Sequence, residues 1–191
     1  LLDIDEKGVY VCSTGVIGHF LPMDKVRTGI ADAVDQMDEN EGESAALAIQ
    51  TTDTFVKKIA YEFELGGKKA RIAGIAKGAG MIHPNMATML TFITTDAAIA
   101  PDVLKRTVKA VADKSFNMVV VDGDTSTNDS MIVLANGLAE NEIILSEEHP
   151  DYPVFFEAFL RAAQELAKMI AHDGEGATKF LEVNVIGAAS F

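Results

Sequence analysis

Cysteine is almost absent from this sequence, whose 191 residues include only Cys12. A single cysteine excludes a disulfide within the chain and is typical of proteins kept in a reducing compartment. Free cysteines mostly behave as small, buried apolar side chains, so we interpret Cys12 as structural and not as a nucleophile. The sequence therefore predicts a cytoplasmic protein.

Basic residues and long apolar runs are also scarce. The chain has 16 lysine and arginine residues against 29 aspartate and glutamate residues, for a formal net charge of -13. Binding to nucleic acid phosphates requires a concentrated basic face, so we predict no nucleic acid partner. No apolar run reaches the ~20 residues of a membrane-spanning helix, and acidic residues stand where a signal peptide would be basic. We therefore predict no membrane association. The chain lacks an initiator methionine and opens almost within a strand, which indicates a piece of a longer protein.

Recognisable metal and nucleotide patterns are missing as well. The four histidines show no zinc-binding spacing. In the glycine-rich "GIAKGAG" (74–80), Lys77 precedes the last glycines, whereas a P-loop lysine follows them. The acidic "DGDTSTND" (122–129) has Thr127 where a calcium loop requires glycine and Val133 where it requires glutamate. We predict no metal site, and we interpret 122–129 as a turn shaped by hydrogen bonds from side chains to the backbone.

Hydrophobic periodicity indicates a mixed α/β protein. Apolar residues recur at helical spacing in three segments, namely 23–37, 101–115 and 153–172. Alternating patterns on both sides of Gly66-Gly67 predict a β-hairpin formed by "KIAYEFEL" and "KKARIAGIA". Five further runs predict strands: "GVYVCST", "MLTFITTDA", "MVVVDGD", "SMIVLANG" and "FLEVNVIGA". Because strands and helices mix irregularly, we expect a layered α/β fold with mixed sheets and not a doubly wound parallel sheet.

The Ala87-Thr88 pair places a hydroxyl after a small residue, behind a glycine-rich segment and a His-Pro-Asn turn. A threonine hydroxyl is a poor nucleophile within a chain, but an N-terminal threonine has its own α-amino group as a base. That amine has a pKa of about 7.7–8.0, so an appreciable fraction is neutral at physiological pH. The hydroxyl could create this terminus itself by attacking the Ala87 carbonyl, because a tight turn raises their effective concentration. The alternative is an ordinary strand threonine.

Five blocks of the sequence resemble the glutamate N-acetyltransferases of arginine biosynthesis, also called ornithine acetyltransferases. They occur in that family's order and spread over nearly the whole chain, and together they are highly specific. The blocks are "STGVIG" from Ser13, "TTDT" from Thr51, "AKGAGMIHPNMATML" from Ala76, "DGDTSTND" from Asp122 and "HDGEGATK" from His172.

This resemblance implies an αββα four-layer sandwich with mixed sheets, similar to N-terminal-nucleophile enzymes. It also implies self-cleavage between Ala87 and Thr88. The new N-terminal Thr88 then accepts an acetyl group from N-acetylornithine and passes it to glutamate in a ping-pong reaction. No cofactor is expected, and acetyl-CoA is a possible second donor, which would make the enzyme multifunctional. The cleaved α and β chains of the precursor are expected to stay together in an α2β2 assembly.

The same resemblance implies roles for individual residues. Thr14 and Gly15 match the oxyanion hole, while the residues that match substrate contacts are Thr51, Lys77, Thr88 and Glu175. Within the "TTDT" block, Thr52 is the alternative to Thr51. Members of the family extend further at both ends. Residues 1–191 are therefore expected to be a fragment of a single acetyltransferase domain, and an asparagine near the family's C-terminus has no position here.

Two other functions fit the same residues. An N-terminal-nucleophile hydrolase, such as an aminopeptidase of similar fold, would deliver the acyl group to water, because transfer and hydrolysis differ in whether water is excluded. A non-catalytic module that binds amino acids would keep Thr88 inside an intact strand. A mass measurement under denaturing conditions separates the module from the enzymes, because only the enzymes split at Ala87-Thr88.

Overall fold

The structure, a computed structural model, describes residues 1–83 and 89–189. Its longer helices and strands coincide with the strongest periodic segments of the sequence. The helices are α1 (Met23–Asp35), α2 (Gly42–Ala48), α3 (Pro101–Asp113) and α4 (Tyr152–His172). The strands are β1 (Lys57–Leu65), β2 (Lys68–Lys77), β3 (Leu90–Thr95) and β4 (Ser130–Ala135). No helix within the two described ranges is long and apolar enough to cross a membrane.

The four strands form one mixed sheet in the order β1-β2-β3-β4. Strand β2 pairs antiparallel with both β1 and β3, whereas β3 and β4 are parallel. Gly66 and Gly67 form the turn of the predicted hairpin with φ angles of 54° and 80°, a backbone conformation that glycine adopts without steric cost. The hairpin and the mixed sheet predicted from the sequence are thereby confirmed.

Helix α4 covers β1 and β2 and forms the core with them. The side chains of Phe155, Phe159 and Leu166 are fully buried on one stripe of the helix. Alternate residues of β1 pack against this stripe. On β2, a Cβ atom added at Gly74 would lie 3.0 Å from Leu166 Cδ1, so the helix rests almost directly on the strand. The period of 3.6 in α4 and the period of two in β1 therefore produce one packed interface.

Three of the predicted strands are not formed. The segments 8–14, 118–124 and 180–188 contain no strand. In the first and last segments most apolar side chains are exposed, for example Val11 (87%) and Ile186 (95%). A strand is stable only when a neighbour satisfies its backbone hydrogen bonds, and the described sheet contains no strand paired with these segments. The prediction was wrong for these three runs because their local pattern finds no neighbouring strand.

The mixed α/β class is confirmed, with all its described strands in one sheet. Helix α3 packs against α4, while α1 contains no fully buried residue. The second sheet of the expected four-layer sandwich is not formed by residues 1–83 and 89–189. These residues form the hairpin, strands β3 and β4, and helix α4. Together these elements position the loops of the candidate site.

Candidate functional site

Three chain segments meet at one edge of the sheet. Lys77, the last residue of β2, lies opposite Leu90, the first residue of β3, and Leu90 lies opposite Ser130, the first residue of β4. Residues 78–83 leave the sheet at this edge, and residues 122–129 lead into it. The expected cleavage pair, Ala87 and Thr88, belongs to residues 84–88 and lies outside the described residues. This edge nevertheless adjoins the pair in sequence, because Leu90 follows Thr88 by two residues.

Lys77 is a buried cation at this edge, only 2% exposed. Its Nζ donates a hydrogen bond to Thr51 Oγ1 at 3.1 Å. Burial lowers the pKa of Lys77 below its ordinary value, and the negative charges of Asp53, Asp129 and Glu175 oppose that effect. A lysine in a solvated loop would show neither this burial nor this hydrogen bond. The structure thus brings together Lys77 and Thr51, two of the residues expected to contact substrate.

Glu175 lies over the glycine segment that follows Lys77. Its backbone N–H donates to the carbonyl oxygen of Ala79 at 2.7 Å. A Cβ atom added at Gly80 would lie 2.7 Å from the carboxyl carbon of Glu175, so no side chain fits there without displacing the carboxylate. Glycine at position 80 therefore leaves room for the Glu175 carboxylate, the flexible end of an exposed side chain that would have to move if a Cβ atom were present. Lys77 precedes this glycine segment and Glu175 packs against it. Lys77 is buried, whereas Glu175 is exposed.

A buried ion-pair network, which the sequence pattern did not reveal, supports this arrangement. Lys57 Nζ lies 2.6 Å from Asp53 Oδ1 and 2.6 Å from Asp173 Oδ2, and Lys57 is 1% exposed. Asp53 also accepts hydrogen bonds from the N–H groups of Gly78 at 2.7 Å and Thr51 at 3.1 Å. Asp53 therefore fixes the backbone of Thr51 and that of the residue after Lys77. The only sequence signal for the pair was the spacing of four residues between Asp53 and Lys57.

Asp173 connects the end of α4 to the same network. Its carboxylate accepts hydrogen bonds from the Thr54 N–H at 2.9 Å and from the Thr54 hydroxyl. Asp173 directly follows the last residue of α4, a position that by itself indicates only a helix end. Its buried pairing with Lys57 instead anchors the loop that carries Glu175 to the start of β1.

A cleft of about 430 Å³ opens beside this network. Its volume falls within the range of small-molecule sites, roughly 300–1,000 Å³. The cleft is lined by the loop before β1 and the loop after α4, including Thr52, Asp173 and Glu175. The first two threonines of the "TTDT" block thus have different surroundings, since Thr51 accepts a hydrogen bond from Lys77 whereas Thr52 lines the cleft.

Thr14 and Gly15 lie apart from these contacts. They belong to the irregular N-terminal segment, where Thr14 is half-buried and Gly15 is exposed. The nearest side chain to a Cβ atom added at Gly15 is that of Leu21, at 3.3 Å. Within the part of the chain that the structure describes, no hydrogen bond connects either residue to Lys77, and their oxyanion-hole role stays a prediction.

The turn predicted at 122–129 is confirmed as a network of hydrogen bonds from side chains to the backbone. Asp122 accepts from the N–H groups of Ile82 at 3.0 Å and Asp124 at 3.1 Å. Ser126 Oγ accepts from the N–H of Asn128 at 3.0 Å. These hydrogen bonds stabilise the loop and also connect it to the segment that follows β2.

The buried carboxylates predict a loss of stability in acid. Burial would raise the pKa of Asp173, but hydrogen bonds from Lys57 and Thr54 outweigh it and hold the pKa below its ordinary value. The unfolded chain therefore binds more protons than the folded one at acidic pH, so this contribution is present above about pH 4 and is lost below it. We expect the urea midpoint to fall as the pH decreases through this window, and to fall less steeply in Asp173→Asn. The control Asp102→Asn, at an exposed position of α3, should keep the wild-type slope. Equal slopes for Asp173→Asn and wild type would contradict the prediction.

Comparison with known proteins gives consistent matches. A sequence model of the ArgJ family matches residues 1–191. The arginine biosynthesis bifunctional protein ArgJ of Bacillus thuringiensis subsp. konkukian is 54% identical over 185 residues, which are 97% of this chain and 45% of that protein. The ArgJ of Oceanobacillus iheyensis is 54% identical over 189 residues, or 99% of this chain and 46% of that protein. A crystal structure of ArgJ from Bacillus halodurans matches with 52% identity and a TM-score of 0.43, over 45% of this chain and 39% of that one.

The chain thus spans less than half the length of the curated relatives that it matches. The family model nevertheless covers it from end to end. The resemblance drawn from the five sequence blocks is therefore confirmed, and the chain belongs to the ArgJ family.

Proposed function

We propose that this chain is the central part of an acetyltransferase that moves an acetyl group from N-acetylornithine to glutamate through Thr88. One observation carries the proposal. Thr51, Lys77 and Glu175 come from three separate sequence blocks and gather at the sheet edge from which β3 begins two residues after Thr88. The relatives are arginine biosynthesis bifunctional proteins, which supports a role of this kind.

The first step in this proposal is self-cleavage. The Thr88 hydroxyl attacks the carbonyl carbon of Ala87, and the peptide C–N bond breaks to leave an ester on Oγ1 and a free α-amino group on Thr88. Water then hydrolyses the ester, which releases Ala87 as a carboxylate and restores the hydroxyl. The resulting N-terminal threonine carries its own base.

Acetyl transfer repeats the same chemistry on a substrate. The Thr88 hydroxyl attacks the acetyl carbonyl of N-acetylornithine, and its α-amino group passes the proton to the departing amine. The amine of glutamate then attacks the acetyl-threonine ester and regenerates the free hydroxyl. Thr14 and Gly15, through a hydroxyl and a backbone N–H, are proposed to stabilise the oxyanion of each tetrahedral intermediate, where one donor is typically worth about 10²–10³ in turnover. Acetyl-CoA is a possible alternative donor in the first half-reaction.

Lys77 and Glu175 are proposed to orient the two substrates. Each substrate carries a carboxylate, and each also carries an amino group: the side-chain ammonium of N-acetylornithine and the α-amine of glutamate. A buried ammonium and an exposed carboxylate on one glycine segment suit such a pair of opposite charges. Because burial already removes water from Lys77, a substrate carboxylate would gain more there than at a solvated lysine.

The sheet explains how the cleaved fragments would stay together. The junction lies between β2 and β3, which are paired over six residues from Ile72 to Lys77. Helix α4, on the C-terminal fragment, packs against β1 and β2 on the N-terminal fragment. These contacts do not depend on the Ala87-Thr88 bond. We therefore propose that both fragments remain one folded unit. The resemblance to the family leads us to propose also an assembly with two copies of each fragment, located in the cytoplasm.

An acetyl-transfer assay on the full-length protein tests the proposal. With N-acetylornithine and glutamate together, we expect ornithine and N-acetylglutamate to form in equal amounts. An arm with acetyl-CoA in place of N-acetylornithine shows whether a second donor is used. Release of acetate at the same rate with or without glutamate would instead identify a hydrolase.

Lys77→Met and Glu175→Gln should impair turnover while leaving the fold intact. A lost charge-assisted hydrogen bond is worth about 1.5–3 kcal/mol, so we expect kcat/KM to fall roughly ten- to a hundredfold in each variant. The matched control is Lys68→Met, which changes an exposed lysine on the same strand. Steady-state kinetics with each substrate varied in turn measure the effect. Wild-type kcat/KM in both variants would show that these charges do not contact substrate.

A further inference from the structure

Asp129 holds the backbone at the start of β3. Its Oδ1 accepts a hydrogen bond from the N–H of Met89 at 2.6 Å. The next residue, Ser130, is the first of β4 and donates its own N–H to the carbonyl oxygen of Met89 at 3.0 Å. Met89 is 3% exposed, so both bonds are made in surroundings with little water. The N–H and the carbonyl oxygen of Met89 are therefore held by two consecutive residues, the last of the loop and the first of β4.

The Asp129 side chain is held by its burial and by several polar neighbours. The side chain is half-buried, and this burial raises its pKa, while the Met89 N–H, the Ser126 side chain and the Lys77 charge act in the opposite direction. Asp124 of the same loop provides a contrast. It is exposed, and its carboxylate makes no hydrogen bond within residues 1–83 and 89–189.

We infer that Asp129 is a positioning residue for the Thr88 nucleophile, acting through the Met89 N–H in both self-cleavage and acetyl transfer. A peptide group is planar from one Cα to the next, so holding the N–H of Met89 also restricts the Cα of Thr88. After cleavage no residue precedes Thr88, and the Met89 side becomes its only covalent anchor. The inference rests on the proposed function of Thr88.

The test compares four variants of the full-length protein: Asp129→Ala, Asp129→Asn, Asp129→Glu and the control Asp124→Ala. Self-cleavage of freshly made precursor is followed by mass measurement under denaturing conditions, and transfer is measured per cleaved molecule. A misplacement of about 1 Å costs roughly 10²-fold in rate. We therefore expect Asp129→Ala to lower the cleavage rate and kcat by about 10²-fold, with KM little changed.

The other variants separate a hydrogen-bond role from a charge role. Asparagine keeps an acceptor oxygen at the same distance from the backbone, so Asp129→Asn should recover most of the wild-type rates. Glutamate keeps the charge but displaces the acceptor by one methylene, so Asp129→Glu should stay slow. Asp124→Ala should behave as wild type. If Asp129→Ala does not fold, the order of the Asn and Glu variants still decides the question.

Two results would overturn the inference alone: wild-type cleavage and turnover in Asp129→Ala, or an Asp129→Glu variant that is faster than Asp129→Asn. Either would occur beside a wild-type protein that cleaves and transfers normally. A wild-type protein that remains a single intact chain would instead overturn the proposed function, and the inference together with it.

Discussion

Thr88→Ala is expected to abolish both self-cleavage and acetyl transfer, because one hydroxyl performs the nucleophilic attack in each. The variant should therefore migrate as a single intact chain and form no N-acetylglutamate above the rate without enzyme. Thr88→Ser should retain part of both activities, since serine supplies a hydroxyl on the same carbon. Mass measurement under denaturing conditions and the transfer assay together provide the readout.

A control for Thr88→Ala is available on the adjacent strand. Thr94 is an exposed threonine of β3, and Thr94→Ala should cleave and turn over as wild type. An alanine variant at position 88 that still splits between residues 87 and 88 would show that another group is the nucleophile.

Lys57→Met is expected to cause the largest loss of stability. The substitution leaves Asp53 and Asp173 without the cation that lies 2.6 Å from each. Breaking a buried ion pair by removing one partner typically costs about 3–5 kcal/mol, because the remaining charge stays desolvated. We expect a decrease of this size in the free energy of unfolding, measured by urea denaturation of the full-length protein at neutral pH.

The neighbouring lysine provides a matched control for Lys57→Met. Lys58 pairs with Glu43 at the surface, where about half of each side chain is exposed. Exposed pairs contribute only about 0–1 kcal/mol, so Lys58→Met should leave the urea midpoint almost unchanged. Equal losses in the two variants would mean that the buried network does not stabilise the site.

The parts of the fold that could be predicted from sequence are those whose pattern is satisfied locally. Helix α4 has a long apolar stripe, and the hairpin has a glycine pair at its turn, so each was predicted close to its observed bounds. The runs "GVYVCST" and "FLEVNVIGA" have equally good strand patterns. They form no strand because pairing depends on a neighbour elsewhere, and a local pattern does not specify one.

The candidate site likewise contains residues that could be predicted from the sequence and residues that could not. Lys77 and Glu175 were predicted from the resemblance to the family, and the structure places Glu175 against the glycine segment that follows Lys77. Lys57 was not singled out, since a lysine at the start of a strand is normally solvated. Its burial results from two carboxylates, one of them 116 residues away in sequence, and no local pattern contains that information.

In the proposed reaction, Thr88 becomes an N-terminal residue that carries the acetyl group. The most direct measurement is the mass of the full-length protein under denaturing conditions after incubation with N-acetylornithine in the absence of glutamate. We expect two fragments divided between Ala87 and Thr88, with the C-terminal fragment heavier by one acetyl group that disappears when glutamate is added. A single intact chain, or a cleaved C-terminal fragment that never gains the acetyl group, would contradict the proposed function.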